Sequence, residues 1–306
     1  MIWTELDTWI VLTGALTAMA CAVPGVFLLL NKQSMLGDAI SHAVLPGLAM
    51  GFLVSGTRDA LPMFIGAVLA GLFTAVVSGV IERRGRVETG ASLGVVFCSL
   101  FALGLILIRI AADHVDLDPG CVLYGALELA VIDSAAVPRI VWQSAAILLL
   151  NLTLAAVFFK ELQLAAFDPR FAKANGIPSG WIHQGLTIAT ALTTVVAFES
   201  VGSILVIAML IVPGASAMLL SRSVAGVLFW SLIVALASAL IGHLLAISVG
   251  PAWLGWLTGR RDLGSLSSAG MMAASAGLIF FSLLAASHLA RSIPRPARKS
   301  ALRTFG

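Results

Sequence analysis

Long apolar runs broken by short polar stretches dominate the chain, and their lengths predict membrane-spanning helices. Nine runs approach the roughly 20 residues needed to cross a hydrocarbon core of about 30 Å. They cover about Trp9–Leu30, Asp38–Gly56, Ala60–Ile81, Thr89–Ile110, Arg139–Phe159, Trp181–Phe198, Val201–Leu220, Ala225–Val249 and Ser268–Ala290. The short alternating segments of a transmembrane barrel are missing. The pattern therefore predicts an all-α, polytopic membrane protein with about nine spans. Glu199-Ser-Val-Gly202 leaves almost no loop between the sixth and seventh runs, and eight spans are the alternative if the first or sixth segment is a partial helix. The polar stretches are read as loops, including Ala111–Val137, Lys160–Ser179 and Pro251–Ser267.

Composition fits this reading. The 306 residues are 59% hydrophobic and 11% charged, with a mean hydropathy of +1.04; soluble domains carry roughly 25% charged residues. A single transmembrane domain over residues 1–290 is expected, followed by a basic tail, 291–306. The net charge of +3 is informative by position and does not point to nucleic acid. Lys32; Arg83, Arg84, Arg86; Lys160, Arg170, Lys173; Arg222; and Arg291, Arg295, Arg298, Lys299, Arg303 fall on one side. Only Arg58, Arg109, Arg139, Arg260 and Arg261 fall on the other. The positive-inside rule then puts the C-terminus in the cytoplasm and the N-terminus outside. The expected location is a lipid bilayer that the chain crosses several times.

The chemistry concentrates at the start of the second run. Asp38 and His42 are four apart, so a helix puts them on one face. A carboxylate and an imidazole entering a membrane span are costly unless they bind something or each other. Mixed oxygen and nitrogen donors suit Zn²⁺, Mn²⁺ and Fe²⁺. The plain structural alternative is that Asp38 caps the helix and His42 pairs with it. Pro46-Gly47 follows one turn later and predicts an irregular span, tolerated where backbone lines a cavity. His42 lies 14 residues before Gly56, so about 21 Å from the outer end of a regular helix.

Other polar groups are weaker candidates for an entrance or gate. They are Glu199 at the outer end of the sixth span, Asp116 and Asp118 beside Asp113 and His114 in the outer loop, and His243 in the eighth span. Each also has an ordinary reading, and for His243 it is a packed histidine with its hydrogen bonds satisfied. Small residues such as Gly66, Gly71 and Gly79 are expected at helix contacts. Cys21, Cys98 and Cys121 show no zinc or disulfide spacing. No G-x-x-x-x-G-K-[ST] occurs, so the chain is not expected to hydrolyse ATP, and no H-E-x-x-H or nucleophile–base spacing predicts an enzyme.

The polar stretch Phe167-Asp-Pro-Arg-Phe-Ala-Lys-Ala-Asn-Gly-Ile-Pro178 is the best-defined loop. Asp168 reads as an N-cap with Pro169 at the first helical position, and Gly176 as the stop. A helix of about two turns outside the membrane is predicted, exposing Phe171 and Lys173. It is read either as a docking element or as a capped turn.

Here the sequence resembles the membrane subunits of zinc/manganese/iron ABC importers. The motif Gly37-Asp-Ala-Ile-Ser-His-Ala-Val-Leu-Pro-Gly47, the segment Phe167–Pro178 and the apolar motif Val201–Ala217 carry the likeness, in that order, over roughly residues 10–290. Asp116–Gly125 is similar to one branch, whose permeases often work beside a second one. The resemblance implies a permease with a dimeric pathway, formed by a second copy or a related permease. It implies Asp38 and His42 as ligands to the transported ion. It implies a cytoplasmic coupling helix at about 167–178, with Asp168, Pro169, Phe171, Ala172, Lys173 and Gly176 at the ATPase contact. Cytoplasmic subunits would bind ATP, an extracytoplasmic binding protein would deliver metal, and no permanent cofactor is expected. The alternatives are a permease for a metal chelate, siderophore or vitamin, and an ATP-independent metal carrier.

Overall fold

The computed structural model describes residues 3–56, 60–112, 127–131, 137–249 and 266–292. The outer-loop acids Asp113, Asp116 and Asp118, with His114, lie outside the described residues, as does the tail from residue 293 on. All regular structure among the described residues is helical: α1 (Glu5–Leu30), α2 (Met35–Ser55), α3 (Ala60–Gly85), α4 (Thr89–Ala112), a short α5 (Leu127–Ala130), α6 (Arg139–Val157), α7 (Phe159–Phe167), α8 (Pro169–Ala174), α9 (Ser179–Leu220), α10 (Val224–Leu244) and α11 (Ser268–Ser292). A π-helical turn, Leu245–Val249, extends α10. Nine segments among the described residues are long and apolar enough to cross a membrane, α9 supplying two of them.

The expected sixth and seventh spans meet inside α9. Forty-two helical residues would extend about 63 Å, twice a bilayer's core. The chain turns at Gly202, whose φ of 75° and ψ of 172° are open to glycine and strained for any side chain. No loop is needed, which is why Glu199–Gly202 carries so little polar sequence. A second difference falls in Lys160–Ser179, read above as a loop. Its first half forms α7, where Leu162 is buried and Lys160 and Gln163 face outward.

The spans pack as two groups joined by α9. Helix α1 packs against α6, α9 and α10, while α2 packs against α3 and α4, and α9 touches both sets. Most of α1 is buried, including Val23, Val26, Phe27 and Leu28. At the α2–α3 crossing, a Cβ on Gly47 would strike the Gly66 carbonyl, so the backbones touch there. Gly71 lies against Ile40, whereas Gly79, expected at a contact, faces open space.

Helix α1 contains Pro24, which has no N–H to give the Ala20 carbonyl. Asn151 of α6 makes good the deficit: its Nδ2 donates to the Ala20 oxygen at 2.9 Å and to Thr193 Oγ1 of α9 at 2.7 Å. One amide thus ties three helices at a buried proline. Asn151→Leu should lower stability by about 1–2 kcal/mol through the orphaned carbonyl. The check is the apparent melting temperature in detergent. An unchanged value would mean that Ala20 finds another donor.

Candidate functional site

The expected pair forms on the first turns of α2. That helix starts at Met35 after Ser34, whose side chain makes no cap bond, so Asp38 sits inside the first turn and is not the cap. A carboxylate there is favoured by the positive end of the helix. His42 Nε2 lies 3.4 Å from Asp38 Oδ1, with side-chain exposures of 22% and 38%. The pair is therefore half open, neither sealed in the core nor free at the surface.

Helix α4 holds the imidazole. Phe97 and Phe101, one turn apart, place their rings 5.1 and 5.4 Å from that of His42, the second edge-on at 81°. This aromatic wall leaves Nδ1 buried with no hydrogen-bond partner. Metal-ligating histidines ordinarily fix their ring by donating the other N–H to an acceptor. Packing between two phenylalanines fixes it here and leaves Nε2 on the carboxylate side. Among the described residues, no third His, Cys, Asp or Glu joins the pair to make a metal cluster.

Pro46 does not break α2, contrary to the sequence expectation. The helix runs unbroken from Met35 to Ser55 with Pro46 buried inside it. Gly104 of α4 leaves room for the proline ring, and Gly47 lets α3 approach the next turn. The cost is confined to one lost donor, and the carbonyl that loses it belongs to His42, four residues back.

His243 sits elsewhere, with both ring nitrogens engaged. It is 1% exposed. Nε2 lies 3.2 Å from Asp7 Oδ1, Nδ1 lies 3.2 Å from Ser268 Oγ, and the Trp3 ring stands edge-on at 5.7 Å. The Ser268 N–H donates to Glu128 Oε1 at 2.7 Å. Asp7 also closes a capping box with Thr4 at the start of α1. This network pins α1, α5, α10 and α11 together at one end of the bundle, which is the ordinary reading of that histidine. Sequence reasoning did not single out Asp7 or Glu128. The Thr4-x-x-Asp7 spacing was the available signal for Asp7. Glu199 lies on α9 three residues before Gly202, and its side chain is outside the described residues.

The loop helix forms as its sequence predicts. Asp168 Oδ1 accepts from the Phe171 N–H at 2.9 Å, and Pro169 opens α8. At the other end, Ile177 N–H donates to the Ala172 carbonyl at 3.0 Å and Gly176 N–H to Lys173 at 3.1 Å. These are the two bonds of a Schellman stop, with Gly176 left-handed at φ 77°. Ala172 is fully buried, while Phe171 is 55% exposed and Lys173 is exposed. One side of α8 seats on the bundle and the other displays an aromatic ring and a cation.

The family model for the ABC 3 transport family matches residues 4–253. The manganese transport system membrane protein MntD of Bacillus subtilis (strain 168) is 40% identical over 284 residues, covering 91% of each chain. The chelated iron transport system membrane protein YfeD of Yersinia pestis is 33% identical over 243 residues, covering 78% of this chain and 76% of that one. Among solved structures, PsaBC from Streptococcus pneumoniae in complex with Fab is similar over 92% of this chain and 91% of that one, with a TM-score of 0.73 and 28% identity. By the extent of these matches and the nine candidate spans among the described residues, the chain belongs to the ABC 3 transport family, as a membrane-spanning permease.

Proposed function

We propose that this permease carries Mn²⁺, Zn²⁺ or Fe²⁺ into the cell along a path in which Asp38 and His42 replace water on the passing ion. The carrying observation is an incomplete site. The pair is half open, its imidazole is oriented by packing, and no third ligand of this chain joins it among the described residues. Asp38 and His42 from two permease subunits, identical or related, supply four donors. That number suits a first-row divalent ion. Half exposure also matters for release, since a conducting site must bind and then let go.

The remaining parts follow from the same reading. Residues 1–290 form one transmembrane domain, with the N-terminus outside and the C-terminus and α8 in the cytoplasm. An ATPase subunit engages α8, because the chain carries no phosphate-binding loop of the Walker type. An extracytoplasmic binding protein delivers the ion, with Glu199, Asp116 and Asp118 drawing cations towards the entrance. His243 holds the outer ends of the spans in place.

The test is ATP-driven uptake by the complete importer in proteoliposomes, measured by elemental analysis with each metal offered alone and as a chelate. Accumulation of at least one free divalent metal is expected. Uptake of chelate only, or of no metal, would overturn the reading.

A further inference from the structure

Beside α8 the bundle contains a half-open cavity of about 480 Å³ that the transport reading does not use. This is within the range of ordinary small-molecule sites, roughly 300–1,000 Å³. Its walls come from α1, α6, α7 and α9 and are almost wholly apolar. Pro24 and Phe27 line one side, and the deep polar residue, Asn151, directs its amide N–H groups at Ala20 and Thr193. The inner end therefore offers a ligand no free donor, only the Asn151 Oδ1, an acceptor buried without a partner.

Polar character returns at the mouth. Glu161 lines it and pairs with no cation among the described residues, and Lys160 beside it is exposed. Trp181, on the rim, is 79% exposed. An exposed tryptophan at a span end marks the headgroup level of a bilayer. The cavity thus runs from headgroup level into the hydrocarbon, on the side of the membrane that carries α8. Gly176, Ile177 and Pro178, the exit of α8 into α9, also line it.

We infer that this cavity binds one tail of an aminophospholipid, with the headgroup ammonium at Glu161 and the phosphate towards Lys160. The surrounding phase is the source of the ligand. An apolar recess open at membrane depth is wetted by lipid tails, and its charged rim matches a headgroup bearing both signs. An occupant there stiffens the segment joining α8 to α9, so lipid composition is placed to modulate coupling.

Gly185 gives a clean probe. It lines the cavity, and a Cβ built on it meets nothing within 4 Å, so a larger side chain grows into the void without striking backbone. The experiment is native mass spectrometry of the complete importer released from nanodiscs of equal parts phosphatidylethanolamine and phosphatidylglycerol. Wild type should retain one phosphatidylethanolamine per permease, Gly185→Trp and Gly185→Leu should lose it, and Glu161→Gln should lose the preference between headgroups. Cryo-electron microscopy with brominated tails should place bromine density between α1 and α6. Retention in both Gly185 variants, equal retention of the two headgroups by wild type, or a cavity filled by an ATPase side chain in the complete complex would each overturn the assignment.

Discussion

Metal uptake is expected to fall by at least about 100-fold when either Asp38 or His42 is replaced by alanine. Losing a group that merely orients a ligand already costs 10- to 100-fold in metal affinity, and these two side chains are the proposed ligands. Both subunits would lose the same group in a homodimer, so two of four donors vanish together. The fold should survive. A half-exposed acid–base pair contributes about 0–1 kcal/mol to stability, and the core around α2 is built from other side chains. His42 packs on Phe97 and Phe101, so His42→Gln is the gentler variant and should also fail to transport. The readouts are uptake and co-purification of the ATPase. Normal uptake by either alanine variant would remove the chemistry from the proposed path.

The parts of the fold that were legible in the sequence are those set by local rules. Nine apolar runs became nine candidate spans among the described residues because hydrocarbon forces backbone bonds to close within each helix. The Asp38–His42 contact followed from helical spacing alone, and the two ends of α8 from Asp168 and Gly176. What stayed hidden depends on neighbours. Pro46 looked like a break, yet Gly104 and Gly66 on other helices make room for an unbroken α2. The charges around Lys160 resemble a loop in sequence, although Leu162 buries inward and Lys160 and Gln163 face outward, the division expected of a short surface helix. The phenylalanine wall behind His42 lies two spans along the chain from it. The bond between Asp7 and His243 joins residues 236 positions apart, which no local pattern announces.

Removing residues 171–176 should detach the ATPase subunit while leaving the spans assembled. The expectation rests on how α8 is built. Six residues are too few for a helix to persist in water, where nucleation outweighs the few bonds gained. Its persistence here depends on the Asp168 cap, the Gly176 stop and the buried Ala172. Phe171 contributes nothing of comparable weight to that scaffold, since 55% of it is exposed. A large aromatic held rigidly at the surface by three devices is a costly arrangement for a connecting turn and an apt one for a partner's groove. Phe171→Ala should therefore weaken ATPase binding by about 2 kcal/mol, roughly 30-fold, with the permease melting temperature unchanged. Asp168→Ala should act differently, loosening α8 itself by about 0.5–2 kcal/mol and weakening binding through lost order. The two effects separate on a peptide-independent measure, hydrogen exchange at the Phe171 amide, which Asp168→Ala accelerates and Phe171→Ala does not. Full co-purification of the ATPase with the 171–176 deletion would show that α8 is only a turn and that the motor grips the permease elsewhere.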